Sequence, residues 1–538
     1  MAKKYIQDFK SKLSNGGTLA PEELQDFFSR LEGDLKDKKY GLVWESQTEL
    51  VIEQLKTNKV YLEEEQDLKI TQVPDNPKSN ILIEGDNYEA LTYLNKINQK
   101  VDVIYIDPPY NTGNEDFVYN DRFTTKEDGF RHSQWVSFMD ARLRLARELL
   151  TDDGVIFISI DDNEQAQLKL LMDSIYGENN YIGTHIWQNK SGGGQAKYYY
   201  KGHEYLHIYG KDKKKVNGLS LSVKEDKRYK NNTIELDGKE YYVNDDFLRK
   251  AHGKYKSGVE RRLLYEEILE YRDENFLEEV NRKIENKEYI LKKYKDTGMS
   301  MVCRLEDLEI KRKKAYSIYN DVYTKHGNTE LEDLFGMQVF NNPKPVDYIK
   351  YLLKLVNKSE ATVLDFFAGS GTTGHAVLEI NKEDGGSRQF ILVTNNENNI
   401  AREVTYERNK RVIEGYTTPK GKDVPGIPSN LAYYKTKQVS KYDIDFDEVI
   451  LQHVIPTIQF TEGVYSRTQH SPHITQLGEN VFIFNQYMVE DDEIDTLVDL
   501  VKDEDILYIQ EGQVDYIKTK LPEGVVYKYL EDVLPTNR

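Results

Sequence analysis

The sequence predicts an α/β fold with a doubly wound, mainly parallel sheet, and three observations lead to this prediction. Short apolar runs of strand length alternate with stretches of helical periodicity before residue 210. The same alternation resumes after residue 330. A glycine-rich turn at 369–374 joins one predicted strand to the helix that follows it. Alternating strands and helices are typical of a parallel sheet with helices on both faces.

The first predicted βαβ unit has strands at 81–83 and 101–106, separated by a helical stretch. A second helix is predicted after Ser133, whose hydroxyl is suited to an N-cap. A turn at 153–154 then leads into a strand at 155–160. These elements extend the same sheet.

The composition changes between 211 and 330. A long charged stretch at 259–293 is predicted to be helical, and Asp237-Gly238 is predicted to turn a hairpin. We interpret this part as an inserted α+β domain. The predicted organisation is an N-terminal helical extension (1–78), the first half of the core (79–210), the insertion (211–330), the second half of the core (331–416) and a C-terminal extension (417–538).

The second half of the core resumes with a helix near 346–356. Strands are predicted at 362–366 and 388–394, with the glycine-rich turn and a helix between them. This arrangement places the turn at the end of a buried strand, where ligands bind in open α/β sheets.

Composition excludes several classes of protein. The 538 residues contain one cysteine, no apolar run long enough to cross a bilayer and no apolar leader, so we expect a cytoplasmic protein with no membrane anchor. The net charge of −19 argues against general coating of nucleic acid, which depends on neutralising phosphates. Any DNA-binding surface must therefore be local.

One lysine-rich stretch with few acids is the best candidate for a phosphate-facing strip, and Tyr198, Tyr199 and Tyr200 lie within it. A solvated loop with no partner is the alternative interpretation. The predicted DNA-binding residues are Lys190, Lys197, Lys201, Lys213, Lys214 and Lys215.

Asp107-Pro108-Pro109-Tyr110 follows a buried strand. The two prolines hold the backbone extended and remove hydrogen-bond donors, so a stiff acidic loop stands at the edge where ligands bind. Asp107 and the Pro108 carbonyl could accept the two N–H bonds of an amino group, and Tyr110 could stack on a base. Such a pocket cannot reach a base inside a duplex, so this mechanism requires base flipping. An acidic turn without catalytic function is the alternative.

The glycine-rich turn, Asp365-Phe366-Phe367-Ala368-Gly369-Ser370-Gly371-Thr372-Thr373-Gly374, contains the spacing GxGxxG. That spacing alone would equally fit a dinucleotide oxidoreductase. The preceding Asp-Phe-Phe-Ala and the distant Asp-Pro-Pro-Tyr separate the two, because hydride transfer has no use for the second motif. The chain has no zinc-ligand spacing and no phosphate-binding GxxxxGK[ST] loop, and we interpret His203-Glu204 as structural.

Several motifs together resemble the amino-methyltransferases of the permuted β class, and more closely the modification subunits of type III restriction-modification systems. They are Asp-Pro-Pro-Tyr-Asn-Thr-Gly-Asn-Glu-Asp-Phe (107–117), His203-Glu204-Tyr205, Pro343-Lys344-Pro345, the glycine-rich turn and Val-Thr-Asn-Asn-Glu-Asn (393–398). In that family the catalytic motif precedes the cofactor loop and the target-recognition region lies between them. The resemblance implies a Rossmann-like methyltransferase core that uses S-adenosylmethionine, and it covers roughly 79–210 and 331–435.

The resemblance also implies site residues. Asp107, Pro108, Pro109 and Tyr110 form the catalytic set. The cofactor set is Asp86, Lys344, Asp365, Phe366, Phe367, Gly369, Gly371, Thr372, Thr373, Asn396 and Glu397. Asp86 could instead be a helix N-cap. Family members usually have a ribose-binding acid after the strand at 388–394, where this chain has Thr394-Asn395-Asn396, so Asn396 or Glu397 is the substitute.

The implied function is methylation of adenine N6 in double-stranded DNA by a homodimer, with a separate restriction subunit. Methylation of cytosine N4, a solitary methyltransferase and a catalytically silent specificity subunit are the alternatives. The recognition sequence depends on side chains of the insertion, whose fold the sequence does not define.

Overall fold

The computed structural model describes residues 44, 48–76, 78–119, 122–125, 129–192, 198–222, 232–236, 238–250, 260–295, 297–307, 312–444, 446–485 and 491–533. These residues form two compact units. The first contains the described residues up to Asn217 and from Tyr316 onwards, and the second contains those within Gly218–Ala315. Of the predicted site residues, Lys197 lies outside the described part.

The first unit begins with four helices and nine strands. They are α1 (Leu50–Thr57), β1 (Asn58–Glu64), β2 (Ile70–Thr71), β3 (Asn80–Glu84), α2 (Asn87–Lys96), β4 (Val101–Ile106), β5 (Asn114–Tyr119), β6 (Arg122–Thr125), α3 (Arg131–Leu149), β7 (Leu150–Ile160), α4 (Gln165–Tyr176), β8 (Tyr181–Gln188) and β9 (His203–Gly210), with short 3-10 turns at Gln66–Leu68 and Glu178–Asn180.

The second unit is a smaller α+β structure. Its elements are β10 (Ser220–Ser222), β11 (Thr233–Leu236), β12 (Lys239–Asn244), a 3-10 turn (Tyr265–Glu267), α5 (Ile268–Tyr271), α6 (Glu274–Glu285), β13 (Tyr289–Lys293), β14 (Ser300–Asp307) and β15 (Arg312–Lys314). Strands β11, β12, β14 and β13 form an antiparallel sheet in that order, and β10 pairs with β15. The predicted pairing of the strands on either side of Asp237-Gly238 is confirmed by β11 and β12, although Asp237 itself lies outside the described residues.

The first unit then continues to the end of the described chain. Its elements are β16 (Ile318–Tyr319), α7 (Thr324–Phe335), α8 (Val346–Val356), β17 (Thr362–Asp365), α9 (Thr372–Asp384), β18 (Gln389–Thr394), a 3-10 turn (Glu397–Asn399), a π-helix (Ile400–Tyr406), α10 (Glu407–Glu414), β19 (Gly415–Thr417), β20 (Asp423–Pro425), β21 (Asn430–Ser440), α11 (Phe446–Gln452), α12 (Val454–Glu462), β22 (Arg467–Gln469), β23 (Ile474–Leu477), β24 (Val481–Phe484), α13 (Asp491–Leu500), β25 (Ile506–Ile509), a 3-10 turn (Glu511–Gln513), α14 (Val514–Ile517), β26 (Val526–Tyr529) and α15 (Leu530–Val533).

The central sheet has the order β1-β21-β3-β18-β17-β4-β7-β9-β8-β16. Neighbouring strands from β21 to β7 are parallel, whereas β9 is antiparallel to β7 and β8. The predicted α/β fold with a parallel sheet is confirmed. Because β3, β18, β17, β4 and β7 point the same way, their carboxyl ends form one edge, which we call the catalytic edge.

The strands of this sheet form because short apolar runs are covered on both faces. Ile104, Ile106, Leu364 and Leu392 are fully buried, which is typical of a parallel sheet with helices on each side. Helix α3 contributes to that cover through its apolar face, which includes the buried Trp135. The sheet is therefore a rigid support for the loops at its catalytic edge.

Three predictions of local structure are wrong. The stretch 259–293 is not one helix, because α6 begins anew with Asp273 as N-cap, accepting the Phe276 N–H, and β13 pairs with β14. Helix α3 begins before Ser133, with Phe130 at the N-cap position. Residues 153–154 lie within strand β7 rather than before it, although the pairing of β7 with β4 is irregular between Leu150 and Val155.

The extensions also differ from their predicted character. Residues 1–43 lie outside the described part, but β1 within the predicted helical extension is a strand paired with β21. Strand β21, beyond the predicted boundary at 416, pairs in parallel with β3 and so belongs to the central sheet. Strands β22 to β26 form a separate sheet. Among the described helices, none has the length and apolar character needed to cross a bilayer.

Candidate active site

The loop 107–110 leaves the carboxyl end of β4 and is held from both sides. The Trp135 indole N–H donates to the Pro109 carbonyl at 2.7 Å. Asn111 adopts a left-handed backbone with φ of 55°, and its buried side-chain amide donates to Glu164 at 2.6 Å. Because Asn tolerates this conformation better than most residues, the chain can turn sharply here. The acidic loop is therefore fixed relative to the sheet.

Four side chains meet beside this loop, and we call them the Lys344 cluster: Asp107, Tyr110, Glu204 and Lys344. Lys344 Nζ lies 2.7 Å from Asp107 Oδ2 and 3.1 Å from Glu204 Oε2. The Tyr110 hydroxyl lies 2.7 Å from Asp107 Oδ1 and 3.0 Å from Glu204 Oε2. Lys344 Nζ donates to the same hydroxyl at 3.0 Å. Glu204 Oε1 accepts from the Asn189 amide at 2.9 Å.

Burial and charge fix the protonation of this cluster. Burial disfavours the Lys344 ammonium, but the carboxylates of Asp107 and Glu204 outweigh that effect and raise its pKa above the ordinary value. Burial, with the same two carboxylates, raises the pKa of Tyr110 well above its usual range. Lys344 is therefore a cation and Tyr110 a neutral phenol at physiological pH.

Two residues of this cluster differ from the sequence interpretation. Lys344 belongs to the predicted cofactor set, whereas in the structure it contacts the carboxylates of Asp107 and Glu204. Glu204 was interpreted as structural, but it contacts Tyr110 and Lys344. The strand order explains the position of Glu204. Strands β7 and β9 are antiparallel and Tyr205 pairs with Ile160, so β9 begins at the catalytic edge, where β7 ends. Nothing in the local sequence indicates that pairing.

The glycine-rich turn is closed by Asp365. Its carboxylate accepts the Phe367 N–H at 3.0 Å and the Thr373 hydroxyl at 2.5 Å, so it joins the start of the turn to the start of α9. The Thr372 hydroxyl accepts from Arg408 at 2.7 Å. The hydroxyls of Thr372 and Thr373, both in the predicted cofactor set, are thus engaged by protein groups.

Three residues that sequence reasoning missed support this turn from the π-helix and α10. The Thr405 hydroxyl donates to the Gly369 carbonyl at 2.6 Å. Arg408, fully buried, donates to Ser370 as well as to Thr372. Asn409 lies against Gly371 and Gly374, so closely that a methyl group on either glycine would meet its side chain. The turn is therefore packed from behind.

A cavity of about 640 Å³ opens at the catalytic edge. This volume suits a ligand of nucleoside size or somewhat larger. Among the predicted residues, its lining includes Asp86, Asp107, Pro109, Phe366, Phe367, Gly369 and Glu397, and the aromatic rings of Phe138 and Phe340 add to it. Apolar rings beside the carboxylates of Asp86 and Glu397 suit a ligand with a flat base and hydroxyl groups.

Both interpretations of Asp86 are compatible with the structure, because its carboxylate accepts the Tyr88 N–H as the N-cap of α2 and also lines the cavity. The two candidates for the ribose-binding residue differ. Asn396 Oδ1 accepts the backbone N–H groups of Ala401 and Arg402, whereas Glu397 lines the cavity. Glu397 is therefore the better placed of the two.

The structure does not bring the predicted basic strip together. Lys201 precedes β9 at the catalytic edge and pairs with Asp162 at 3.0 Å, and the exposed Lys190 follows β8 at the same edge. Lys213, Lys214 and Lys215 follow the other end of β9, where Lys215 pairs with Asp152. Eight strand residues separate the two groups by about 26 Å, so they form two surfaces.

Burial raises the pKa of Asp365 to about 7. Since the folded protein binds this proton more tightly than an ordinary Asp does, stability from this group is greatest near pH 4 and is lost as pH rises through 7. We expect Asp365→Asn, a neutral mimic, to gain thermal stability relative to the wild type between pH 5 and 8. Melting temperatures across this range measure the difference.

Asp384→Asn is the matched control for this measurement. Although burial opposes it, the Arg388 guanidinium lowers the pKa of Asp384, so its contribution to stability is present above its ordinary pKa and lost at lower pH. We expect this variant to lose stability relative to the wild type as pH rises from 3 to 5. A constant difference between Asp365→Asn and the wild type across pH 5 to 8 would contradict the pKa assignment.

Comparison with known proteins agrees with this geometry. The chain is 30% identical over 450 residues to the Mod subunit of the type III restriction-modification enzyme EcoPI from Escherichia phage P1, covering 72% of this chain and 69% of that protein. It is 35% identical over 376 residues to the StyLTI Mod subunit of Salmonella typhimurium, covering 63% and 57%. It is 32% identical over 414 residues to the type II methyltransferase M.KpnI of Klebsiella pneumoniae, covering 69% and 93%. A family model described as DNA methylase matches residues 101–414, more than half of the chain, and this protein therefore belongs to the N6/N4 DNA methylase family.

Proposed function

We propose that this protein methylates the N6 amino group of adenine in double-stranded DNA, with S-adenosylmethionine as the methyl donor. The observation that carries the proposal is the position of Asp107, which is fixed at the end of β4, lines the cavity and is held by Lys344 and Tyr110. An acceptor at this position can polarise an amino group next to a bound donor.

The acceptor side of the site is rigid. Asp107 accepts one N–H of the amino group, and the Pro108 carbonyl accepts the other. These two bonds withdraw the nitrogen lone pair from conjugation with the ring, so that it can act as a nucleophile. The Lys344 ammonium lies 2.7 Å from Asp107 Oδ2 and holds this carboxylate in place. Alignment of the two reactants provides most of the rate enhancement.

The residues that line the cavity suit S-adenosylmethionine, the methyl donor, in their chemical character. Rings such as Phe366 and Phe367 can contact an adenine, and the carboxylates of Asp86 and Glu397 can accept hydroxyl or amino hydrogens. When bound, S-adenosylmethionine supplies a methyl group activated by its sulfonium sulfur. The glycines of the turn allow close approach of the backbone to this ligand.

The target base must leave the duplex to reach Asp107, so base flipping is part of the proposal. Lys190 and Lys201 stand at the catalytic edge with the exposed side chains of Tyr198, Tyr199 and Tyr200. Lysines can contact phosphates there, and tyrosine rings can stack on exposed bases. The second unit, Gly218–Ala315, is the candidate for sequence recognition.

The relatives' names support a wider role. Two of the relatives are Mod subunits of type III restriction-modification enzymes. We propose that this chain is likewise a modification subunit, that it works as a homodimer and that a separate restriction subunit performs cleavage.

The product of the reaction tests this proposal directly. Purified protein is incubated with duplex DNA of varied sequence and labelled S-adenosylmethionine, and the digested DNA is analysed for methylated nucleosides. We expect labelled N6-methyladenine. Labelled N4-methylcytosine would move the target to cytosine, and no labelled nucleoside despite measurable binding of S-adenosylmethionine would leave a DNA-specificity subunit without catalysis.

A further inference from the structure

The Lys344 cluster contains a second carboxylate, that of Glu204, which is not needed to bind the amino group of the substrate. Asp107 alone faces the cavity, whereas Glu204 stands behind Tyr110, with its side chain 14% exposed. The Tyr110 hydroxyl lies between the two acids, 2.7 Å from Asp107 Oδ1 and 3.0 Å from Glu204 Oε2. The Tyr110 hydroxyl therefore connects Asp107, which lines the cavity, to Glu204, which does not.

The charge of the cluster is unbalanced. Two carboxylates, Asp107 and Glu204, share the single ammonium of Lys344 in a largely buried site. The one ammonium therefore balances only one of the two carboxylates. Both oxygens of Glu204 are also held, Oε1 by Asn189 and Oε2 by Lys344, so its position is fixed.

Methylation of an amino group produces one proton that must leave. The nitrogen lone pair forms the bond to the methyl carbon, the carbon–sulfur bond breaks, and its electron pair stays on sulfur. As this bond forms, the nitrogen, which still carries two hydrogens, gains positive charge, and one proton leaves in the same step. Loss of one proton gives the neutral N6-methyladenine.

We propose that Glu204 is the final acceptor of this proton, which reaches it through Asp107 and the Tyr110 hydroxyl. The inference rests on the proposed function. Asp107 Oδ1 takes the proton from the nitrogen and passes it to the Tyr110 oxygen, while the Tyr110 hydroxyl proton moves to Glu204 Oε2. Asp107 is again a carboxylate, Tyr110 is again a phenol, and Glu204 is a neutral acid.

The groups around Glu204 fit this role. Lys344, Tyr110 and Asn189 contact it directly. Tyr348 and Asp161 also act on it electrostatically. The high pKa of Tyr110 keeps this residue protonated, so that it transfers a proton without being left as a phenolate. Glu204 acts on the substrate only through Tyr110 and Asp107.

The test compares Glu204→Gln with the wild type in single-turnover methylation at saturating DNA and S-adenosylmethionine, from pH 6 to pH 9. The amide keeps the size of the side chain and one acceptor oxygen, but it takes no proton. We expect a rate about 100-fold lower, which rises with pH and with added imidazole, because hydroxide or buffer must now remove the proton. Binding of S-adenosylmethionine and DNA should change less than about twofold.

Tyr110→Phe provides a second variant, because it breaks the relay but leaves the pair of Glu204 and Lys344 in place. We expect the same dependence on pH and imidazole, and no further loss in the double variant, since both changes interrupt one path. If Glu204→Gln fails to fold, as judged by thermal unfolding, Tyr110→Phe alone decides the question.

Asp173→Asn is the matched control. Asp173 is likewise buried, accepts a tyrosine hydroxyl from Tyr209 at 2.8 Å and pairs with Lys169, but it lies away from the catalytic edge. We expect its pH profile and imidazole response to match the wild type. A wild-type rate and pH profile in Glu204→Gln, or in Tyr110→Phe where that variant decides, would overturn the relay. Failure of the wild type to make N6-methyladenine would instead refute the proposed function.

Discussion

Replacement of Asp107 by Ala is expected to lower the rate of methylation by about 10³-fold, the scale of losing a group that stabilises developing charge in a reaction. Asp107 is the only acid of the Lys344 cluster that lines the cavity, so its loss leaves the cluster without a carboxylate that can reach the amino group. Because the aromatic rings and the glycine-rich turn are untouched, the affinity for S-adenosylmethionine should change less than about tenfold. Single-turnover rates and calorimetric titration measure the two effects separately.

Asp102→Ala controls for the loss of a paired acid from the same strand. Asp102 is the second residue of β4, accepts from Lys358 at 2.7 Å and from the Thr362 N–H at 2.9 Å, and lies at the opposite edge of the sheet. We expect this variant to lose stability but to keep its methylation rate per folded molecule. Similar rates for the Asp107 and Asp102 variants would show that Asp107 has no direct part in the reaction.

The fold was predictable where the pattern is local. The strand at β4 and the helix α8 show apolar periodicity strong enough to predict their bounds from sequence alone. The prediction of one helix over 259–293 is wrong because helical periodicity in the sequence does not show where pairing with another strand is more favourable than helix formation. Residues of β13 have β14 beside them in the folded chain, and that pairing decides their conformation.

The candidate site was predictable in part for the same reason. Asp107 and the glycine-rich turn each belong to a short continuous motif that directly follows a predicted strand. Their positions at the edge of the sheet therefore follow from the predicted strands. The contacts of Lys344 with Asp107 and Glu204 join residues far apart in sequence, and they depend on the order in which β4, β7 and β9 pair. Conversely, Lys201 and Lys215 are close in sequence but lie at opposite ends of β9.

Gly371→Ala is expected to distort the glycine-rich turn, whereas Gly385→Ala is not, although both glycines have a left-handed backbone conformation. They cap the two ends of α9 with φ of 76° and 70°. A side chain in this region costs about 1–2 kcal/mol at either position. At Gly371 the added carbon would also lie 2.7 Å from Asn409 Nδ2 and 3.1 Å from the Thr405 carbonyl, whereas Gly385 has open space.

The excess effect of Gly371→Ala over Gly385→Ala therefore reports the close packing behind the loop. We expect about 1–3 kcal/mol of additional destabilisation, as for overpacking in a protein interior. Because Thr405 also holds the Gly369 carbonyl at the cavity, the affinity for S-adenosylmethionine should fall at least about tenfold in Gly371→Ala alone. Denaturant unfolding and calorimetric titration measure both quantities, and equal effects of the two substitutions would mean that the packing of Thr405 and Asn409 does not position the loop.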